Sequence, residues 1–394
     1  MGAIGGIMEI KDKGIDVCEL DRMRRSMALR GRVRGTAFFK GQMGMLFGSS
    51  DADAFEPTAE KQPFVCERQG GCLALCIDSD RTNTAAVMEK YLISGMEFVG
   101  ALDGDFALAL YDERRGVLIL ATDKDGSRPL YYSISDGRVL FASEPKALLD
   151  SVDGYVRVDK EVLAMHLLSP VGIYGAQDIY PEIHRVSGGE CVIFTAFGHS
   201  RFFYRVQKAD KGQNGARTLA EAEVLSPYVC TKPEFIYESL DNALLAFDYP
   251  QFDCYLPGIM RLFEQTARSG GKNIFFADAV RRQSLPYARE REDRLSALYG
   301  IRGKGVMIRN AENEALSDME KALAERLENM SAGEAELLRT IIGERTLYSV
   351  LNNKKSEDTE RCIRILGMLC QTLQWAALRP LDISPIRSCH GFQL

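Results

Sequence analysis

The sequence predicts an α+β protein in two parts, a strand-dominated first domain and a mainly helical second one. Three observations predict this. Short apolar runs broken by turn residues recur before about residue 205. A polar stretch from Lys208 to Arg217, with three Lys/Arg, two Gly and an Asn, then interrupts the pattern as a linker would. Beyond it, apolar residues return at helical spacing.

The strands are read from paired runs. Phe106–Tyr111 and Val117–Ala121 flank Asp112-Glu113-Arg114-Arg115-Gly116, a hairpin signature. Pro129–Ile134 and Arg138–Ala142 repeat it around Asp136-Gly137. Val87, Tyr91 and Leu92 mark a helix between 85 and 95. In the second half, Phe235–Phe247 and Leu256–Arg268 carry a 3.6-residue period, the latter ending at Gly270-Gly271 as a C-cap. Asn273–Phe276 reads as one buried strand. Ser317–Glu320 and Ser331–Glu334 read as capping boxes that open helices. Ile363, Leu366, Cys370 and Leu373 mark the apolar face of a last helix. The boundaries are 1–206 for the first domain, 207–220 for the linker and 221–394 for the second domain.

Composition bounds the function. The 394 residues are 46% hydrophobic, with 49 Lys+Arg against 55 Asp+Glu, which excludes wholesale disorder. No apolar stretch approaches the ~18–20 residues of a bilayer span. Lys11-Asp12-Lys13 after a Gly-rich start is not the order of a signal peptide. Myristoylation wants Ser or Thr where this chain has Gly6. The net charge of −6 gives no general reason to expect nucleic acid as a partner. These features predict a soluble, cytoplasmic chain with no membrane contact.

The ten Cys are scattered and the four His lie far apart, so no metal site is predicted. Cys72 and Cys76 sit in an apolar run as small buried hydrophobes. Arg22, Arg24, Arg25, Arg30, Arg32, Arg34 and Lys40 form one basic cluster, and residues 281–304 form another. Without aromatic interleaving, both read as solvated faces or docking surfaces. The N-terminal glycines fit a tightly packed first strand, and Asp123, Gly126 and Pro129 read as turn and strand-end residues.

The blocks Leu102–Asp112, Asp123–Tyr132 and Leu140–Leu148 strongly resemble the glutaminase domain of asparagine synthetases, which are class II glutamine amidotransferases. Met1–Ile7 resembles that family's start, and Met23–Gly31 its first helix. The resemblance covers residues 1 to about 205 and weakens from about 230 to 300. It implies a four-layer αββα sandwich of the N-terminal-nucleophile hydrolase type, followed by a helical domain with an α/β remnant. In the family an N-terminal Cys attacks the glutamine amide, with its own amine as base. Here that position is Gly2, which has no nucleophile. The family's carboxylate-binding Arg is missing from Gly41–Gly48, its Asn-Gly-Glu oxyanion loop appears as Cys76-Ile77-Asp78-Ser79, and its amine-binding Asp aligns near Thr84.

The family's SGG-x-D-S pyrophosphate loop has no counterpart. Ser187-Gly188-Gly189 and Ser269-Gly270-Gly271 lack the Asp-Ser partner and read as turns. The segment Lys272–Tyr287 matches a family segment with SGEGADE at its centre, but Arg281-Arg282 stands where the family has an acidic pair. The resemblance therefore implies no catalytic residue, no cofactor and no metal. The expected role is a non-catalytic scaffold, regulatory subunit or partner-binding protein, with a protein as partner and no small-molecule ligand identified. Alternatives are an ATP-dependent amide-forming ligase of altered chemistry, or a phosphate-ligand binder that uses the Arg clusters. The length, short for the family, reads as a deletion in the second domain.

Overall fold

Glycine at positions 2, 5 and 6 lets the first strand approach its neighbours more closely than side chains would allow. In the computed structural model this strand, β1 (Gly2–Glu9), is wholly buried and lies in the middle of a sheet. A Cβ on Gly5 would meet the Met27 methyl at 2.9 Å. The structure describes residues 2–11, 14–30, 35–49, 61–79, 83–151, 156–168, 179–204, 233–252, 256–268, 273–275, 294–295, 298, 302–304, 313–352, 359–379 and 381–383.

The chain forms two units, Met1–Asp153 with Glu182–Ala222, and Gly154–Pro181 with Glu223–Leu394. The segment 154–181 thus groups with the second unit although it precedes the linker stretch in sequence. That stretch, 207–220, lies outside the described residues.

In chain order the first elements are β1, α1 (Val17–Ser26), β2 (Gly35–Lys40), β3 (Met43–Ser49), β4 (Phe64–Arg68), β5 (Gly71–Ser79) and α2 (Thr84–Ser94). They are followed by β6 (Phe106–Asp112), β7 (Val117–Thr122), β8 (Tyr131–Ser135), β9 (Arg138–Ala142) and α3 (Pro145–Leu149). Next come β10 (Val156–Arg157) and α4 (Lys160–Leu168) of the second unit, then β11 (His184–Arg185), β12 (Glu190–Thr195) and β13 (Gly198–Phe203) of the first.

Among the described residues, two antiparallel six-stranded sheets result, ordered β11-β8-β9-β1-β3-β2 and β13-β12-β7-β6-β5-β4. Both expected hairpins are present as β6–β7 and β8–β9. The second turns through Asp136 and Gly137, both at positive φ, a conformation that suits the twist of paired strands. Ile4, Met45 and Phe141 of one sheet share a core with Ala74, Ala109 and Leu120 of the other. Leu20 and Met27, on and just beyond α1, cover the outer side of β1 and β3. Val87, Met88 and Tyr91 of α2 pack on Leu75, Leu108 and Leu110. Helices α1 and α2 each begin on a side-chain cap: Asp16 accepts from Cys18 N–H, and Asn83 from Ala86 N–H. The layers run helix, sheet, sheet, helix.

The second unit is mainly helical. It adds α5 (Pro233–Phe247), α6 (Leu256–Arg268), β14 (Asn273–Phe275), β15 (Arg302–Lys304), α7 (Asn313–Glu328), α8 (Ala332–Ile342), α9 (Glu344–Asn352), α10 (Thr359–Leu378) and β16 (Leu381–Asp382). Ile363, Leu366, Cys370 and Leu373 are buried along α10 as the period predicts. The strand expected near 273 pairs in parallel with β15. Ser331 and Glu334 form the reciprocal capping box. Ser317 does not open a helix, because α7 starts at Asn313. The apolar face of α7 begins upstream of that serine with buried Leu316, and this burial outweighs the local capping signal.

Candidate functional site

The two sheets meet at the start of β1 in a buried ionic cluster. Gly2 N–H donates to Asp78 Oδ1 at 2.8 Å. Arg30, in the turn that follows α1, donates from Nη2 to Asp78 Oδ2 at 2.9 Å and from Nε to the Gly2 carbonyl at 2.8 Å. Arg128 Nη1 lies 3.9 Å from Asp78 Oδ1. Arg30 has no exposed surface and Asp78 is 3% exposed. One carboxylate and one guanidinium thus grip Gly2 by both its N–H and its C=O.

Each element has a reason to deliver its residue here. Asp78 is the second-to-last residue of β5, where the apolar run Cys72–Ile77 gives way to polar residues. Arg30 follows two backbone turns, Ala28 N–H to Arg25 O and Arg30 N–H to Met27 O, which carry it back over the strand. Arg128 precedes β8 at the end of the Asp123–Ser127 turn. Burial drives the Asp78 carboxyl up, but Arg128 and Arg30 outweigh it and hold the group below the usual carboxylate range. The carboxylate is therefore ionised and is held by charge-assisted bonds.

The residues expected at a glutaminase site fall in and around this cluster. A Cβ on Gly2 would lie 2.9 Å from Phe47 Cε2 and 3.1 Å from Asp78 Oδ1. Phe47 sits on β3, in the segment where the resemblance places a carboxylate-binding Arg. Cys76 is fully buried, its thiol pushed up by desolvation, and its Sγ lies 3.8 Å from Leu46 O. Thr84 is buried in the first turn of α2. The segment Cys76–Ser79 continues β5, paired with Phe106–Ala109.

The basic cluster at 22–40 is not one solvated or docking face. Arg24 and Arg25 do pair with Asp21 on the helix surface. Arg30, read with them as part of a solvated or docking face, is instead a core residue. Its partner lies 48 residues away, so spacing along the helix could not find it. The Asp that follows the apolar run of β5 gives no local sign of that pairing, since Asp80 stands two residues beyond it. Arg32, Arg34, Arg281 and Arg282 lie outside the described residues.

The Ser187-Gly188-Gly189 triplet is a turn pressed on another turn. Gly189 N–H donates to Asp123 O at 2.8 Å, and a Cβ on Gly188 would lie 2.7 Å from Lys124 O. Asp123 accepts from the N–H groups of Phe106, Asp125 and Ser127. Protein backbone fills the space a phosphate would need, so this triplet does not fit a nucleotide. Ser269–Gly271 lies outside the described residues. Among the described residues, no three His, Cys, Asp or Glu side chains are placed to hold a metal, and no helix is long and apolar enough to cross a membrane.

Residues 78–205 match the family described as "Glutamine amidotransferase domain". The chain is 27% identical over 165 residues to glutamine-hydrolysing asparagine synthetase 3 of Bacillus subtilis (strain 168), covering 37% of this chain and 26% of that protein. It is 48% identical over 120 residues to glutamine-hydrolysing asparagine synthetase 3 of Arabidopsis thaliana, covering 26% of this chain and 20% of that protein. The match to the Bacillus relative thus spans about a quarter of that protein's length. Among solved structures, glutamine phosphoribosylpyrophosphate amidotransferase from B. subtilis is 15% identical, covers 77% of this chain and 65% of that chain, and superposes with a TM-score of 0.34. Residues 78–205 are thus similar to a glutamine amidotransferase domain. Over part of its length the chain is a distant homologue of the asparagine synthetases.

Proposed function

We propose that this chain is a non-catalytic member of the asparagine-synthetase-related amidotransferases, of the N-terminal-nucleophile sandwich type, acting as a scaffold or partner-binding protein. The observation that carries the reading is the ion cluster on Gly2. Gly2, the first residue of β1, is where the resemblance assigns the attacking thiol, and it has no side chain. The space beside it is filled by the Phe47 ring and the Asp78 carboxylate. A tetrahedral intermediate needs hydrogen-bond donors aimed at its oxyanion, each worth about 3–4 kcal/mol. The residue that β5 offers to Gly2 here is an ionised acceptor, which opposes a developing negative charge. Cys76, the neighbouring thiol, is buried and remains protonated, so it does not replace the nucleophile.

The test is an incubation of the purified chain with glutamine, with ATP·Mg²⁺, and with both, assayed for glutamate, AMP and pyrophosphate. All three assays are expected to stay at the level of a no-protein control. Sustained glutamate release that follows protein concentration would overturn the reading. A Gly2→Cys variant is also expected to stay silent, since the new side chain would meet Phe47 and Asp78.

A further inference from the structure

Three groups converge on the Asp78 carboxylate: Gly2 N–H and Arg30 Nη2 donate hydrogen bonds to it at 2.8 and 2.9 Å, and Arg128 Nη1 forms a longer ion pair at 3.9 Å. They come from β1, from the turn after α1 and from the loop before β8, so their meeting point is a product of the tertiary fold. Two guanidiniums and a backbone N–H around one carboxylate are the donor set of a receptor for a small anion. Arg30 has no exposed surface, Asp78 is 3% exposed and Arg128 only 8%, so the corner is shielded from competing water. Asp78 is the one carboxylate that the described contacts place on all three groups.

We infer that this corner is a carboxylate-binding site whose occupant is the chain's own Asp78, an internal ligand that keeps external carboxylates out. The chemical class it accepts is a monocarboxylate of formate or acetate size, because the volume in question is that of the Asp78 side chain. The site holds β1 against β5 as long as it is filled. It rests on the placement of the described side chains and holds whether or not the protein hydrolyses glutamine.

The experiment uses the full chain with Asp78→Ala, which empties the site and leaves its donors in place. Thermal unfolding is followed in rising sodium formate, with sodium chloride at matched ionic strength as the control. The variant is expected to lose roughly 10 °C in Tm and to regain at least half of that loss, saturably, in formate but not in chloride. Wild type, whose site is filled, should respond alike to the two salts, as should Asp78→Asn, whose amide keeps the volume occupied. Adding Arg128→Met to Asp78→Ala should abolish the formate response. Equal effects of formate and chloride on Asp78→Ala, or a formate-specific gain as large in Asp78→Asn, would overturn the inference. If Asp78→Ala does not fold in chloride, cooperative unfolding recovered after refolding in formate supports the site. Failure to refold in either salt counts against it.

Discussion

Gly6 of β1 and Phe141 of β9 are register partners, and the ring edge occupies the place a side chain at position 6 would take. A Cβ there would lie 2.3 Å from Phe141 Cζ and 2.5 Å from Gly44 O on the other flanking strand. The ring could rotate but the carbonyl cannot. Gly6→Ala should therefore destabilise the first unit by at least the 1–3 kcal/mol typical of overpacking, about 2 kcal/mol or more. Urea unfolding of the two proteins, with unchanged m-value, checks this.

Removing one partner from the ion cluster strands the other in the core. Arg30→Met should cost about 3–5 kcal/mol, the range for breaking a buried pair. It also leaves the Gly2 carbonyl without its Nε donor. A cycle of Arg30→Met, Asp78→Asn and the double variant should show coupling of about 0.5–3 kcal/mol. Additive losses in that cycle would contradict the contact.

His166 makes stability fall on the acid side. Its Nε2 lies 2.8 Å from Pro250 O, so that nitrogen carries the proton, while Nδ1 is buried with no hydrogen-bond partner among the described residues. Burial first, with Arg364 adding to it and the Pro250 bond opposing, lowers the ring's pKa to about 4. Between the ordinary value near 6.5 and about 4, the unfolded chain binds the proton and the folded chain does not. Stability should therefore drop as pH falls through this window, by at most about 1.4 kcal/mol per pH unit. Below it Asp78 acts in the same direction, since its depressed carboxyl must be protonated. Urea midpoints measured from pH 7 to 4 check the slope, and His166→Gln should flatten it.

Ser331 caps α8 in reciprocal fashion with Glu334: Oγ accepts from Glu334 N–H at 3.2 Å, and Glu334 accepts from Ser331 N–H at 2.7 Å. Ser331→Ala should cost about 1 kcal/mol. Amide exchange should locate the loss in the first turn of α8.

Much of the sandwich was legible because its signals are local. The β6–β7 and β8–β9 hairpins follow from alternating runs around turn residues, and α2 from Val87 and Tyr91 one turn apart. The glycines of β1 announced close packing. The ion cluster was not legible, because Gly2, Arg30, Asp78 and Arg128 meet only after two sheets have stacked. Arg30 stood among surface arginines in sequence, and nothing local set it apart. Ser317 misled for the opposite reason: it carries a good local motif within a helix whose buried face starts earlier. The placement of 154–181 with the second unit depends on pairings such as Val156 with Leu381, which no nearby pattern announces.

The central position of β1 has a consequence for the order of assembly. During synthesis β1 leaves the ribosome well before β9, yet Gly5 must pair with Ala142 and the Gly2 amide must wait for Asp78. One edge of β1 can zip to β3 early, while the other stays open until far more chain has emerged. Such late, non-local closure is slow and leaves a strand edge available to other nascent chains. A strand that reads Gly-Ala-Ile-Gly-Gly-Ile is poorly suited to pair with strangers. The composition that lets β1 fit the finished core thus also protects it during the wait.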